Sequence, residues 1–484
     1  METFKVEEIK KLTTKSVFYL SIRNFGIQIV AVLGFFLLTL LLGAREVGLF
    51  AIVAESIAIL GYFSDIGLAS ALIQRKEKIE DKDLQTTFTI QQILVFLGLL
   101  IIALIYPRIA VPRHYGSKEF WILLSLCFSF LCASLKTIPS VLLERKLDFK
   151  TLSLIDMVEN MLFYTIAVIF AFAGFGAFSY AIATFVKSIV GLILMYRFQS
   201  WPIGISFSWD SLKKLLQFGI PFQLNSFIAL AKDRLSNLLV AGILGREAFG
   251  LLSWAQKGSR IPLSFMDAIM KITFPTFSRI QNDFELLRKS ISRSIYFIAL
   301  VVFPSLLGIT LVAADLVAVI PKYGKWQPAL LPLYFYALSF AIAAVTTPIT
   351  NAFNAVGKIK ITTKLMIMWT ILTWIFFPIL SLKFGYIGTS IAALLVGLSS
   401  VFAWLLCQKH FQVNIFSTVF KPFLASLLML VVCLPLNNLF PSPLYRLVSK
   451  TFIGLLVYSL FHWKYSRSEI TWFLSQAKWL KRNA

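Results

Sequence analysis

We single out fifteen ionisable residues that lie inside segments that are otherwise apolar and about 20 residues long, the length of a membrane-spanning helix. Placing a charged side chain in membrane hydrocarbon costs at least about 2.5 kcal/mol, so such residues normally face a protein interior or a water-filled cavity. Lysine and arginine in that setting bind anions, because a guanidinium offers phosphate oxygens a bidentate fork and an ammonium offers a point charge. The fifteen residues are Arg23, Glu55, Asp65, Lys136, Asp156, Glu159, Lys187, Lys232, Asp233, Arg234, Lys257, Arg260, Asp267, Lys271 and Asp315.

The seventh and eighth apolar segments hold almost half of these residues. Lys257 and Arg260 are three residues apart and share one helical face. Lys232 and Arg234 flank Asp233, which can neutralise only one of them, so positive charge is left over. A cavity with uncompensated cations suits an anionic head group. We therefore predict that a pyrophosphate-like group is bound by Arg23, Lys232, Arg234, Lys257 and Arg260.

A structural alternative exists for these cations. Long basic side chains can extend to the membrane surface, or they can form closed ion pairs between helices. We expect this alternative for three lysines near predicted cytoplasmic ends of their segments, namely Lys136, Lys187 and Lys271.

Four carboxylates are candidates for coupling transport to a proton or sodium gradient, because a carboxylate at membrane depth can bind either ion. They are Glu55, Asp65, Asp233 and Asp267. Asp65 and Asp267 occupy matching positions in an internal repeat. The alternative is that each caps a helix end or pairs with a nearby lysine.

The composition requires a membrane as the solvent of this chain. Of its 484 residues 58% are hydrophobic and only 14% charged, which leaves no room for a soluble domain. The sequence predicts an all-α integral membrane protein. Its fourteen predicted spans are centred on residues 16–42, 46–73, 87–107, 119–142, 152–173, 176–197, 215–244, 247–276, 292–320, 327–352, 361–382, 386–407, 417–438 and 444–463.

Glycine and proline interrupt several of these spans. FGIPF (218–222), RIPLSF (260–265), ITFPTF (272–277) and TTPIT (346–350) are the main examples. Such interruptions allow bending of the kind that alternating access uses, and ordinary kinked packing also produces them.

The distribution of lysine and arginine predicts the sidedness of the chain. The two tails and the loops after even-numbered spans carry 28 of these residues, against 10 for the loops after odd-numbered spans. The positive-inside rule then places both termini in the cytoplasm, so the formal charge of +23 indicates topology and no nucleic-acid partner. Residues 466–484 are predicted to form an amphipathic cytoplasmic tail, at the membrane interface or docked on the protein's own loops.

An ungapped shift of 202 residues aligns the first two spans with the seventh and eighth. It pairs Gly43 with Gly245, Gly48 with Gly250 and Asp65 with Asp267. Because six spans separate the copies, the two halves run in the same direction, as in transporters with parallel repeats. The predicted divisions are two six-helix bundles, two additional transmembrane helices and the tail, at residues 1–200, 201–410, 411–465 and 466–484.

Motifs of enzymes and metal sites are missing from the sequence. The three histidines are far apart, the four cysteines lack paired spacing, and there is no Walker lysine loop, H-E-x-x-H or G-x-S-x-G motif. We therefore expect no catalytic residue, no metal and no cofactor. The cysteines are expected to pack within the helices.

Several stretches resemble polysaccharide transporters, the Wzx-like flippases of lipid-linked oligosaccharides within the multidrug, oligosaccharidyl-lipid and polysaccharide flippase superfamily. The resemblance implies two six-helix bundles plus two terminal helices around a central cavity, and a polyprenyl-pyrophosphate glycan as cargo, flipped outward across the cytoplasmic membrane. It also implies membrane lipids, a polysaccharide polymerase and other assembly proteins of lipopolysaccharide or exopolysaccharide biosynthesis as candidate partners. The stretches are LLGAREVGLFAIVAESIAILGYFSDIGLASALIQRKE (41–77), DRLSNLLVAGILGREAFGLLSWAQKGSRIPLSF (233–265), ITFPTFSRIQND (272–283), YGKWQPALLPLY (323–334) and NAFNAVGKIK (351–360).

Two other functions are weighed against flipping. An ion-coupled small-molecule or multidrug antiporter of the same superfamily would share the architecture, but we expect it to present carboxylates to its cationic cargo. A membrane-embedded glycan polymerase or ligase would carry a large outward loop with catalytic arginine or histidine, and the longest outward candidate, residues 107–118, is short. The basic cluster therefore favours an anionic cargo.

Overall fold

A computed structural model describes residues 26–74, 79–110 and 116–465. Within these ranges the chain is helical and contains no β-strand, which confirms the predicted all-α class. Helices suit a membrane because each backbone amide bonds within its own segment. The α-helices are α1 (Gly26–Leu41), α2 (Ala44–Asp65), α3 (Leu68–Gln74), α4 (Asp81–Ala110), α5 (Ser117–Arg145), α6 (Phe149–Phe172), α7 (Phe178–Phe198), α8 (Trp209–Leu230), α9 (Ser236–Arg260), α10 (Leu263–Arg279), α11 (Phe284–Val319), α12 (Leu330–Ala355), α13 (Ile359–Leu398), α14 (Val401–Phe411), α15 (Ile415–Cys433), α16 (Leu436–Leu439) and α17 (Pro443–Tyr465).

Eleven helical stretches of the described chain are long and apolar enough to cross a membrane, and Gly26–Leu41 is a shorter apolar helix. The count is lower than fourteen because neighbouring spans run together at two places and the described part of the first span is that shorter helix. One stretch, Ile359–Phe411, contains both the eleventh and the twelfth span, with a turn at Gly385, whose φ is 60°. Another, Phe227–Arg260, joins the end of span seven to the first half of span eight through Gly245, whose φ is 78°. Fourteen spans are thus roughly consistent with the structure.

Helix ends are fixed by local polar contacts. Asp148, Asp283 and Asn414 each accept a hydrogen bond from a backbone amide in the first turn of the helix that follows. The Glu46 carboxylate reaches back to the Gly43 amide at 2.8 Å. These caps satisfy backbone donors that have no partner inside the helix.

The described residues fall into two compact units that divide between Ala241 and Gly242. This division follows spatial contacts, whereas the predicted boundary at residue 200 follows the internal repeat. The repeat-based division therefore stays a prediction.

The core of unit 1 surrounds the short helix α3. Leu68 and Leu72 are fully buried there, against Phe88 of α4, Ile138 of α5 and Trp201. Helices in a membrane associate through close packing of this kind, because lipid tails are as apolar as the side chains themselves.

Unit 2 has its main core where α11 and α12 pack together. Ile291, Ile295, Ala299, Ile349 and Ala352 are completely buried in it. The two alanines let the backbones approach closely, as small residues do in membrane helix interfaces. All four cysteines of the chain are free thiols, and three of them are buried.

The turn between α2 and α3 approaches α8 so closely that only glycine fits. Gly67 has a φ of 74°, and a Cβ placed on it would lie 2.5 Å from the carbonyl oxygen of Gly219. Gly174 has a similar φ of 86°, but nothing lies within 4 Å of its Cβ position. Substitutions at Gly67 and Gly174 therefore separate the destabilisation caused by positive φ from that caused by the close contact.

We expect Gly67→Ala to lower the free energy of unfolding by about 2–4 kcal/mol, since it adds overpacking to the strain of positive φ. Gly174→Ala adds only the strain, about 1 kcal/mol. Thermal unfolding of the purified variants in one detergent measures the difference. Equal losses of stability in the two variants would contradict the close approach.

Candidate functional site

Three of the predicted site residues lie in a π-helical segment, Ala231–Leu235, inserted between α8 and α9. The segment contains Lys232, Asp233 and Arg234. A π-helical turn leaves part of the backbone bonding irregular, and such turns occur frequently at functional sites. The proline of the preceding FGIPF motif causes no break, because α8 continues through it to Leu230.

Both cations of this segment have acidic partners within unit 1. Lys232 Nζ lies 2.5 Å from Asp233 Oδ1, and Arg234 Nη1 lies 2.7 Å from Oε2 of Glu55 on α2. The other Glu55 oxygen accepts a bond from the Asn237 side chain at 3.3 Å. Glu55 therefore balances the positive charge that the 232–234 trio carries by itself.

A second set of contacts holds α2 against α8. The Tyr62 hydroxyl donates to the backbone carbonyl of Gln223, and the Gln223 side chain donates back to the Tyr62 carbonyl at 2.6 Å. Tyr62 lies two turns after Glu55 on the same face of α2. These two hydrogen bonds thus support the alignment of α2 and α8 in which Glu55 pairs with Arg234.

In unit 2, Lys257 and Arg260 occupy the last turn of α9, directly before span eight breaks. The chain is non-helical only at Ile261 and Pro262, and α10 continues the span. The break continues into α10, so both cations lie near the middle of the predicted eighth span, residues 247–276. The partial negative charge at a helix C-terminus favours cations there.

Lys257 and Arg260 both present exposed side chains. Within the described part of the chain, no carboxylate forms an ion pair with Arg260. Other residues of α9 pack against the rest of unit 2. Ser259 is completely buried and donates to the Leu333 carbonyl at 3.1 Å, and the Trp254 ring stacks on the Trp326 ring with 5.3 Å between ring centres. This packing fixes the face of α9 on which the two cations are presented.

The two repeat-related aspartates have different surroundings. Asp65 accepts a hydrogen bond at 3.0 Å from the amide of Ala69, and so caps α3. Asp267 is exposed on α10, where no ion pair with another described residue is found. Their ion-coupling role stays a prediction, as does the role of Glu55 and Asp233. Arg23 lies outside the described residues.

A further charge cluster joins α5, α6 and α7 in unit 1. Lys136 and Glu159 form an ion pair in which both side chains are largely buried. The Glu159 carboxylate lies directly over Gly191, where a Cβ would collide with it. Lys187, one turn before Gly191, places Nζ 5.2 Å from the centre of the Phe163 ring. For Lys136 the structure thus shows the closed ion pair that was the alternative to anion binding.

The sequence analysis missed one cluster, in unit 2. Asp315 of α11 lies 3.0 Å from Arg446 Nε and 2.5 Å from Lys450 Nζ, both on α17. The sequence analysis singled out Asp315 but neither cation, although both lie in the predicted span 444–463 and Lys450 is only 3% exposed. The available signal was their spacing of four residues, which places both on one helical face.

The predicted site residues are therefore brought together within each unit. Glu55, Lys232, Asp233 and Arg234 form one cluster in unit 1. Lys257 and Arg260 form a second, one turn long, in unit 2. The first is charge-balanced, and the second presents exposed cations at a helix break.

Comparison with known proteins identifies the family. A family model described as polysaccharide biosynthesis protein matches residues 37–331. The lipopolysaccharide biosynthesis protein WzxC of Escherichia coli (strain K12) is 26% identical over 361 residues, 73% of this chain and 72% of that protein. The succinoglycan biosynthesis transport protein ExoT of Rhizobium meliloti (strain 1021) is 23% identical over 95% of this chain and 94% of its own length.

A solved structure shares the fold. The lipid II flippase MurJ, in an inward closed conformation, superposes with a TM-score of 0.77 at 18% identity, over 93% of this chain and 99% of that chain. The resemblance inferred from the sequence stretches is thereby confirmed. With a matched region that extends over more than half of its length, the chain belongs to the polysaccharide biosynthesis protein family.

Proposed function

We propose that this protein flips a polyprenyl-pyrophosphate-linked oligosaccharide, a precursor of a surface polysaccharide, across the cytoplasmic membrane by alternating access. The observation that carries the proposal is the pair of exposed cations, Lys257 and Arg260, at the break of span eight. Supporting evidence comes from the relatives, whose names assign lipopolysaccharide biosynthesis, succinoglycan transport and lipid II flipping to those proteins.

The cations recognise the anionic part of the cargo. Arg260 offers two parallel donors to phosphate oxygens and Lys257 a point charge, so together they match the two phosphates of a pyrophosphate. In a cavity whose effective dielectric constant is lower than that of bulk water, each contact is stronger than it would be at a protein surface. The glycan and the polyprenyl chain need no such charges for recognition.

The ion-paired cations of unit 1, Lys232 and Arg234, can also take part in anion binding. A pyrophosphate that approaches Arg234 competes with Glu55 for the guanidinium, and one that approaches Lys232 competes with Asp233. Exchange of partners lets these cations bind an anion in one state and close on their own carboxylates in another. Coupling to an ion gradient through Glu55, Asp65, Asp233 or Asp267 is part of the same proposal.

The break in span eight is suited to the conformational change. A two-residue turn at Ile261 and Pro262 joins α9 to α10, and the carbonyls of both residues accept bonds from the amides of Ser264 and Phe265. Discontinuous helices of this kind line the substrate sites of many transporters and absorb small rotations. The two cations lie within one turn of the link, so a rotation there moves them directly.

The proposal includes a location and partners. We place the protein in the cytoplasmic membrane as a multi-pass protein with both termini in the cytoplasm, following the distribution of its basic residues. Its partners are the lipid-linked glycan and membrane lipids, with a polysaccharide polymerase and other assembly proteins as candidates. We propose no enzymatic step, because flipping makes and breaks no covalent bond.

The proposal is tested with purified protein in vesicles that contain either a fluorescent pyrophosphate-linked glycan or a cationic dye. We expect glycan-lipid to become accessible on the opposite leaflet at a rate that increases with protein content, and the dye to stay where it was loaded. Extrusion of the dye against an ion gradient, with no movement of the glycan-lipid, would replace flipping by the multidrug antiporter function.

A further inference from the structure

Lys187 is a cation inside unit 1 that forms no ion pair. It lies near the middle of the membrane-spanning helix α7, so at least about 13 Å of helix separates it from either end, further than a lysine side chain extends. Within the described chain no residue forms an ion pair or a hydrogen bond with its ammonium group. The structure thus shows neither of the two arrangements that the sequence analysis expected for Lys187, extension to the membrane surface or a closed ion pair.

The charges closest to Lys187 do not neutralise it. Glu159 of α6 attracts the ammonium group, but this carboxylate already forms an ion pair with Lys136 of α5. Gly191, one turn after Lys187, provides the space that the Glu159 carboxylate occupies. Asp156 also attracts Lys187, but it is exposed and lies closer to the start of α6. The group formed by Lys136, Glu159 and Lys187 therefore carries one excess positive charge. A cation of this kind in a membrane span normally marks a functional site.

Aromatic rings lie beside this cation. Lys187 Nζ is 5.2 Å from the centre of the Phe163 ring, which stacks at 5.9 Å with Phe50 and at 6.3 Å with Tyr180. The Phe50 and Tyr180 rings stack on each other at 4.1 Å. Phe50, Phe163 and Lys187 are each half-buried, so part of each side chain is open to a ligand. Aromatic walls with a single charged group that fixes orientation are typical of sites for small organic ligands.

We infer that unit 1 contains a binding site for an acidic sugar of the cargo, in which Lys187 binds the carboxylate and the rings of Phe50 and Phe163 contact the apolar face of the sugar. The inference rests on the proposed function and narrows the cargo to lipid-linked glycans that contain a uronic acid or a similar sugar. A carboxylate matches the site because it is univalent, like the excess charge of the lysine group, whereas a pyrophosphate carries more than one charge. The site uses no residue of span eight and is separate from Lys257 and Arg260.

The test measures binding of ligands that vary the sugar and the anchor independently. Each ligand is a disaccharide that ends in glucuronate or in glucose, linked either to geranyl pyrophosphate or to an uncharged decyl chain. The full chain is purified in detergent, incubated with each ligand and analysed by native mass spectrometry. Lys187→Gln and Lys187→Arg are compared with the wild type. Arg197→Gln is the matched control, because it removes an exposed cation from the last turn of the same helix.

We expect the wild type and Arg197→Gln to retain the glucuronate ligand about tenfold more strongly than the glucose ligand on either anchor, the effect of one charge-assisted contact. Lys187→Gln loses this preference, and Lys187→Arg keeps it because arginine restores the charge. Thermal unfolding of the variants checks that each of them is folded.

Equal retention of the two sugars by the wild type, or an unchanged preference in Lys187→Gln, would overturn the inference. Displacement of the glucuronate ligand by acetate at equal concentration would also overturn it, since the sugar would then contribute nothing. The anchors test the proposed function separately. A preference for glucuronate on both anchors, without stronger retention of the pyrophosphate ligands, would support the sugar site and contradict pyrophosphate recognition.

Discussion

Asp315→Ala is expected to lower the free energy of unfolding by about 3–5 kcal/mol, because it leaves the buried Lys450 and the partly buried Arg446 without their counter-charge. Asp315 and Lys450 expose only 6% and 4% of their side chains, so water cannot replace the lost partner. The shift of the thermal unfolding midpoint in detergent measures the effect.

The same helix provides the control. Glu285 at the start of α11 pairs with Arg288 at 3.4 Å, and both side chains are exposed. Glu285→Ala removes the same charge from a surface pair and is expected to change stability by less than about 0.5 kcal/mol. The double variant Asp315→Ala/Lys450→Met should recover much of the loss, since it removes an uncompensated buried cation. A similar small effect for Asp315→Ala and Glu285→Ala would show that the cluster is not buried as described.

Lys257→Ala and Arg260→Ala are each expected to slow flipping of the pyrophosphate-linked glycan by about 10- to 100-fold. The estimate corresponds to loss of one charge-assisted contact of about 1.5–3 kcal/mol. Both side chains are exposed, so removing them should leave unfolding almost unchanged. Initial rates in vesicles with equal protein content measure the effect.

Lys271→Ala is the matched control for these variants. Lys271 is an exposed cation on the second half of the same span, in α10, near its predicted cytoplasmic end. We expect this variant to flip at nearly the wild-type rate. If all three variants were equally slow, the effect would be one of general charge on span eight and not of a binding site.

The sequence predicted the spans well because the membrane imposes a length and a polarity on each of them. It also located the break at RIPLSF, where α9 ends at Arg260 and α10 begins at Leu263. The other motifs behave differently: Pro275 and Pro348 lie inside the continuous helices α10 and α12. A proline thus marks a possible bend, and the packing around it decides whether the helix is interrupted.

The partners in the ion pairs could not be predicted from sequence patterns. Arg234 meets Glu55 from a position 179 residues away, and Asp315 meets Lys450 across 135 residues. No periodicity encodes such pairings, because they depend on which helix faces which. For the same reason the sequence analysis predicted an unbalanced positive charge at residues 232–234. In the structure Glu55 balances that charge by pairing with Arg234.

The repeat shows a similar limit. Asp65 and Asp267 match in sequence, yet Asp65 caps α3 whereas Asp267 stands exposed on α10. The two positions also differ in backbone setting, because Asp65 is the last residue of α2 whereas Asp267 lies inside α10. Equal roles therefore do not follow from equal positions.

The central claim is that exposed cations at the break of span eight recognise the pyrophosphate of the cargo. It is tested most directly by flipping one glycan on two anchors, polyprenyl pyrophosphate and polyprenyl monophosphate, by the wild type and by Arg260→Ala in the same vesicles. We predict that the wild type flips the pyrophosphate form about tenfold faster and that Arg260→Ala flips both forms at similar, slow rates. A preference for pyrophosphate that is the same in the variant and in the wild type would contradict the account.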